Sequence, residues 1–462
     1  MFKTLAYSLL LVGFFYSNLA EAQVAKQKVP EKTRILFLLD ASGSMLAPWE
    51  KGLRMNVAKE ILSDLVDSLR INPKVELALR VYGHQYHRDK QNCEDTRLEI
   101  PFGVGNHDAM IKRIAVLRPQ GTTPLAFSLE KAANDFPSDP NARNIIIIIT
   151  DGIESCDGDP CAVSLALQKK RIFLRPFVIG LGMDRQYEEQ FACLGQFFEA
   201  KDVRSFQRVL NKALGQTLGK TSVSVNLQDH EGQATEKDVN ISFINSFTGE
   251  AQYDFVHYRY PSGQADSVEI DGVLSYHLQV NTIPPVRVAN VNIIPGRHNE
   301  ISVKAPQGWL EVKQTNHTEY RKGVQVLLKN KKTGAIENIQ WIPDKIKYLA
   351  GTYEVEALTT PRIVFDEVEI SPKQTTTLEI PAPGLLNINM AVTGIGSVYE
   401  IAPDGRQRWI LNLDENLRLQ SIPIQPGQYK IVFRAHKALG SKFTEIQNVN
   451  ITSGATVNIK LF

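Results

Sequence analysis

In the first half of the chain, unbroken apolar runs alternate with stretches of helical period. Ile35 to Leu39 run without interruption into Asp40, and Asn144 to Thr150 (NIIIIIT) runs in the same way into Asp151. Such runs suit strands buried on both faces of a parallel sheet. Val75, Leu77, Leu79 and Val81 alternate, predicting a strand over 75–82, and Leu98 to Phe102 predicts a short one. Two more strands are expected at 172–181 and 196–200. Between the first two strands, Leu53, Val57, Ile61, Leu65 and Leu69, with Leu62 and Val66, recur at helical spacing. They predict one long helix opened by Pro48 and Trp49 and ended by Asn72-Pro73. Further helices are expected over 108–117, from Pro124 onward, and over 161–170, 186–194 and 203–218. Strand and helix alternating in this way predict an α/β fold, a doubly wound, mostly parallel sheet between helices.

The pattern changes at Thr221. Helical period fades, and Val, Ile, Thr and Tyr alternate with polar residues between Gly, Pro and Asn punctuation, an all-β texture. It also repeats. Val291-Asn292-Ile293, Pro295-Gly296 and Ile301-Ser302-Val303 correspond to Val368-Glu369-Ile370, Ser371-Pro372 and Leu378-Glu379-Ile380. They correspond again to Val449-Asn450-Ile451, Ser453-Gly454 and Val457-Asn458-Ile459. Gly351-Thr352-Tyr353 and Gly427-Gln428-Tyr429 are a second shared element. A period of about eighty residues fits tandem small β-sandwiches. Ala305-Pro306 and Ala382-Pro383-Gly384 sit where joints are needed. The expected division is a signal peptide at 1–22, an α/β domain at 33–218, and β-sandwich-like modules at 221–305, 306–382 and 383–462. The modules look like carbohydrate-binding or transthyretin-like sandwiches, and a spacer role is the plainer expectation, since fold alone does not assign function.

Composition narrows the class. The 462 residues are 43% hydrophobic and 22% charged, an ordinary globular balance. The formal net charge of +2 gives no electrostatic case for nucleic acid or an anionic membrane as partner. Lys3, the apolar stretch from Leu5 to Phe15 and Ala20-Glu21-Ala22 form a signal-peptide pattern, with the mature start placed at Gln23. No cysteine follows the apolar stretch as a lipoprotein anchor would need, and no later run is long enough to span a bilayer. Export to the periplasm, or secretion to the cell surface, is therefore expected. Cys93, Cys156, Cys161 and Cys193 fit an oxidising compartment and allow three fully paired connectivities. A local Cys156–Cys161 bridge is one of them, leaving Cys93 and Cys193 to pair across the domain or stay as thiols.

The candidate chemistry lies at strand ends. Asp40, Ser42 and Ser44 are hard oxygen donors on one tight turn, DASGS. Thr123 follows Gly121 in a loop before a helix, and Asp151-Gly152 follows the NIIIIIT strand. In a doubly wound sheet these turns converge at the carboxyl ends of the strands. Two carboxylates and three hydroxyls suit Mg²⁺ or Ca²⁺ and suit softer metals poorly. The three pieces, in this order and spacing, resemble the metal-ion-dependent adhesion site of von Willebrand factor type A domains, in the form found in exported bacterial proteins. The resemblance covers about 33–218. It implies that Ser42 and Ser44 hold Mg²⁺ (or Ca²⁺ or Mn²⁺) directly, that Thr123 does so directly or through water, and that Asp40 and Asp151 are held to it through water or directly. It also implies a coordination position left open for an Asp or Glu of a protein ligand.

His84, His87 and Cys93 share the 83–96 loop, but their spacing matches no standard zinc pattern. No histidine lies in the three motif turns, and no nucleophile–base pair is evident there. A non-enzymatic protein-binding module for adhesion or assembly is thus the leading expectation. A metal-dependent hydrolase or enzyme subunit is the alternative, and glycan binding by the β modules a lesser one.

Overall fold

The computed structural model describes residues 29–50, 52–139, 141–169, 177–183, 191, 193–315 and 323–462. The expected signal peptide lies outside the described residues, as do the first part of the expected 172–181 strand and most of the expected 186–194 helix.

Strand β1 (Lys32–Asp40) leads into a 3₁₀ turn and a two-residue hairpin, β2 (Pro48–Trp49) with β3 (Gly52–Leu53). Helix α1 (Arg54–Ser68) begins only after that hairpin. The expected start at Pro48–Trp49 is therefore corrected. Trp49 instead buries its ring against Phe206, and its indole N–H donates to the Lys201 carbonyl at 3.0 Å, which holds the segment extended. The chain continues through β4 (Val75–Tyr82), β5 (Thr96–Gly103), α2 (His107–Val116) and α3 (Leu125–Ala133). Pro124 is the residue before α3 rather than its first. Then follow β6 (Ala142–Thr150), α4 (Pro160–Lys169), β7 (Phe177–Leu181), β8 (Gln196–Ala200) and a closing helix, Val203–Leu218. Asp202 caps the closing helix, accepting from the Ser205 N–H at 2.6 Å.

The sheet order is β5-β4-β1-β6-β7-β8, parallel except for β5, which runs antiparallel at the edge. The period of two along the central strands builds two cores. Ile35, Phe37 and Leu39, with Ile145, Ile147 and Ile149, face α1, α2 and the closing helix. Leu36 and Leu38, with Ile146 and Ile148, face α3 and α4. This is why Ile35–Leu39 and Ile145–Ile149 hold no polar residue: each central strand must satisfy an apolar layer on either side.

Three β-sandwiches follow with one topology. Each has a three-stranded and a four-stranded sheet, and its first strand pairs in parallel with its last. Those pairs are Thr221–Gln228 with His298–Lys304, Gln307–Gln314 with Thr375–Ile380, and Gly384–Met390 with Thr456–Leu461. The repeated tyrosine has a shared task. Tyr276, Tyr353 and Tyr429 are buried, and their hydroxyls donate at 2.7 Å to the carbonyls of Asp271, Leu349 and Gln425. A buried phenol needs such a partner, and the bond fixes the bend before its strand.

The units are joined by packed contacts. Val273 of the first sandwich lies in the α/β core beside the closing helix, and Arg143 at the start of β6 pairs with Asp271 at 3.0 Å. The Leu349 N–H donates to the Ile283 carbonyl at 2.8 Å across the next joint, and Gln425 N–H to the Thr360 carbonyl at 2.7 Å across the last.

Candidate metal centre

β1 and β6 are adjacent and parallel, so Asp40 and Asp151 emerge together at one end of the sheet. Asp40 is fully buried, and both its oxygens accept hydrogen bonds. The Ser42 N–H donates to Oδ1 at 2.7 Å and the Thr150 hydroxyl to Oδ2 at 2.7 Å. The Ser44 hydroxyl donates to Oδ1 of Asp151 at 2.7 Å, and the Ser42 and Ser44 oxygens lie 2.9 Å apart. The threonine loop closes on both. Gly43 N–H donates to the Gly121 carbonyl at 2.9 Å, and Ser155 ties to Thr123 through its hydroxyl at 2.8 Å and its N–H at 3.1 Å. Asp40, Ser42, Ser44 and Asp151 thus form one hydrogen-bonded cluster, and the loop that carries Thr123 lies against it. Ser44 is exposed, while the other four are buried.

Close backbone approach makes this possible. A Cβ on Gly83 (φ +68°) would stand 2.5 Å from the Thr122 carbonyl and 2.9 Å from Ser42, and one on Gly121 would stand 2.9 Å from Asp95 and Gly83. Glycine is required where loops touch this closely. Asp95 knots the 83–96 loop by accepting from the N–H groups of Gln85 at 3.0 Å and Tyr86 at 3.1 Å.

Burial pushes the Asp40 carboxyl up to about 6, helped by the negative charge of Asp151 and opposed by the Ser42 and Thr150 hydrogen bonds. Two buried carboxylates at the ends of adjacent strands favour a cation beside them. Adjacent oxygens in an octahedral Mg²⁺ shell, at about 2.0–2.1 Å from the ion, stand about 2.9 Å apart. The two serine hydroxyls already have that spacing, so these donors fit a small, hard divalent ion.

Two participants escape a reading of the sequence. Thr150 is the last residue of its strand, and only the tertiary pairing shows that its hydroxyl reaches Asp40. Arg54, at the start of α1, donates from Nη1 to Oδ2 of Asp151 at 2.7 Å. It lies outside all three motif turns.

The soft-metal group does not assemble. His84 bonds Glu99 at 2.7 Å, His87 is exposed beside Asp89, and Cys93 is oxidised. Among the described residues, no three His, Cys, Asp or Glu side chains gather as a metal group. The disulfides are Cys93–Cys156 and Cys161–Cys193, so the local Cys156–Cys161 bridge is not formed. Cys93–Cys156 fastens the 83–96 loop to the segment that follows Asp151.

Residues 35–212 match the family model described as von Willebrand factor type A domain. The α/β unit of this chain is a von Willebrand factor type A domain. The chain is similar to the uncharacterized protein YwmC of Bacillus subtilis (strain 168), 26% identical over 220 residues, which is 45% of this chain and 95% of that protein. Among solved structures it is similar to an aerotolerance-related membrane protein from Bacteroides fragilis NCTC 9343. That match has 19% identity and a TM-score of 0.32, over 39% of this chain and 97% of that one. It is also similar to the pilus adhesin SpaC from Lactobacillus rhamnosus GG, with 9% identity and a TM-score of 0.34, over 94% and 87% of the two chains. The von Willebrand factor type A domain of this chain thus precedes three β-sandwiches. Among the described residues, no helix is long and apolar enough to cross a membrane.

Proposed function

We propose that this protein is an exported, non-enzymatic binding module whose von Willebrand factor type A domain uses a divalent cation to hold an acidic side chain of a partner protein. Ser42 and Ser44 are the direct donors, Thr123 binds directly or through water, and Asp40 and Asp151 supply the negative charge, through water or directly. Mg²⁺ is the cation, with Ca²⁺ or Mn²⁺ able to replace it. The bound ion would supply an electrophilic coordination position, which a partner's Asp or Glu completes. The observation that carries this reading is the 2.9 Å spacing of the Ser42 and Ser44 oxygens over the buried Asp40–Asp151 pair.

The position of the site supports a macromolecular ligand. β6 carries Arg143 at the sandwich joint and Asp151 just beyond its far end, about 26 Å away at the usual strand rise. The site therefore points away from the sandwiches. Leu46, Tyr86 and Ile153, on the loops that build it, are 40–49% exposed, giving an apolar rim suited to a protein surface. Two disulfides agree with an oxidising compartment and hence with export. We take the division of the chain to be 1–22, 33–218, 221–305, 306–382 and 383–462, with the last three as spacers.

Calorimetric titration of Mg²⁺ and Ca²⁺ into the full chain, in parallel with Asp40→Ala, tests the site. Saturable binding that the variant lacks is expected, together with capture of a partner that chelator abolishes. Absence of binding at millimolar metal, with and without added acetate, would overturn the proposal.

A further inference from the structure

We infer that Arg54 is a resident counter-cation of the site, one that weakens metal binding by the free protein and couples occupancy to an incoming carboxylate. The inference rests on the metal-dependent reading above and specifies how that site is regulated.

Arg54 is built into position at some cost. It is the first residue of α1, where the positive end of the helix dipole disfavours a cation, and no acidic residue offsets it in that turn. Its Nε is buried without a hydrogen-bond partner. The guanidinium passes beside Trp49 and Gly182, where a Cβ on the glycine would meet Nη2 at 3.4 Å and the Trp49 indole nitrogen at 3.5 Å. What these costs secure is the 2.7 Å ion pair with Asp151, whose side chain has no exposed surface while that of Arg54 keeps 21%. The pair occupies Oδ2 as the Ser44 hydroxyl occupies Oδ1, so Asp151 is satisfied without a metal.

Charge counting gives the consequence. Ionised Asp40 and Asp151 together with Arg54 sum to −1, counting these three groups alone. A divalent ion then brings the sum to +1, and one carboxylate from a ligand brings it to zero. Without Arg54 the loaded site is already neutral and has less need of a ligand's charge. Arg54 is thus a positioning residue that acts through Asp151, making metal and acidic ligand bind better together than apart.

The test is Mg²⁺ titration of the full chain, with and without acetate as the carboxylate probe, for wild type, Arg54→Ala, Arg54→Gln and Arg54→Lys. Removing the cation, as Ala or Gln does, should tighten Mg²⁺ binding without acetate by about tenfold and shrink the enhancement that acetate gives. Lys keeps the charge and should stay near wild type. Thermal melting supplies an independent readout: metal-free Arg54→Ala should melt below wild type, and Mg²⁺ should raise its Tm by more. A purely structural arginine would weaken binding when removed. Unchanged or weaker affinity in both Ala and Gln variants, with wild type binding normally, would overturn this inference alone. Absence of binding in all four proteins would overturn the metal site itself.

Discussion

Thr150 and Asp40 sit at the ends of adjacent parallel strands, and the threonine hydroxyl donates to the buried carboxylate at 2.7 Å. Thr150→Val keeps the shape and deletes the donor. A buried carboxylate left short of a partner costs roughly 1–3 kcal/mol, and loss of a bond that favours its charged form raises its pKa further. Chemical denaturation should show that loss, and Mg²⁺ titration should show weaker binding. An unchanged denaturation midpoint would mean that Thr150 does not support Asp40.

The pH dependence of the metal-free protein should carry the signature of Asp40. Its carboxyl is raised from 3.8 to about 6, so the folded state holds this proton more tightly than the unfolded state. Stability from this group is fully present below the lower value and is lost as pH rises to the upper one. Asp40→Asn lacks the effect. The wild type should therefore lose stability relative to Asp40→Asn across this interval, as read by denaturant midpoints measured in chelator. A constant difference between the two proteins would contradict the assigned shift.

Val273 belongs by sequence to the first sandwich and by packing to the α/β core. Val273→Ala should destabilise the von Willebrand factor type A domain by roughly 1–3 kcal/mol. Val273→Asp should go further and split the melting of that domain from the melting of the first sandwich. Calorimetry reads both effects; one unsplit transition in the Asp variant would show that the joint depends on other contacts, such as Arg143 with Asp271.

The Cys93–Cys156 disulfide ties the 83–96 loop to the segment that places Ser155 against Thr123. Replacing both cysteines by serine should cost about 2–5 kcal/mol and weaken Mg²⁺ binding severalfold. The matching replacement of Cys161 and Cys193 should lower stability with a smaller effect on metal. Equal effects on binding would remove the Cys93–Cys156 bridge from any part in shaping the site.

Much of this molecule was legible in its sequence, because periodicity reports burial directly. The runs Ile35–Leu39 and Ile145–Ile149 read as strands buried on both faces, and the recurring Val/Ile units pointed to tandem β-sandwiches, while their one shared topology came from the structure. The turns bearing Asp40, Ser42, Ser44, Thr123 and Asp151 were marked by residue type and by their place at strand ends. Pro48–Trp49 misled, because a tryptophan before an amphipathic run resembles a helix start until its ring is seen to lie against Phe206.

What the tertiary structure decided depends on groups distant in sequence and close in space. Among the three possible disulfide pairings, the relation of the loops to one another selected Cys93–Cys156 and Cys161–Cys193. Hydrogen bonds and ion pairs act over about 3 Å, a range set by how strands and helices pack rather than by the order of residues. Thr150 reached Asp40 and Arg54 reached Asp151 by that packing, and no local pattern along the chain encodes either contact.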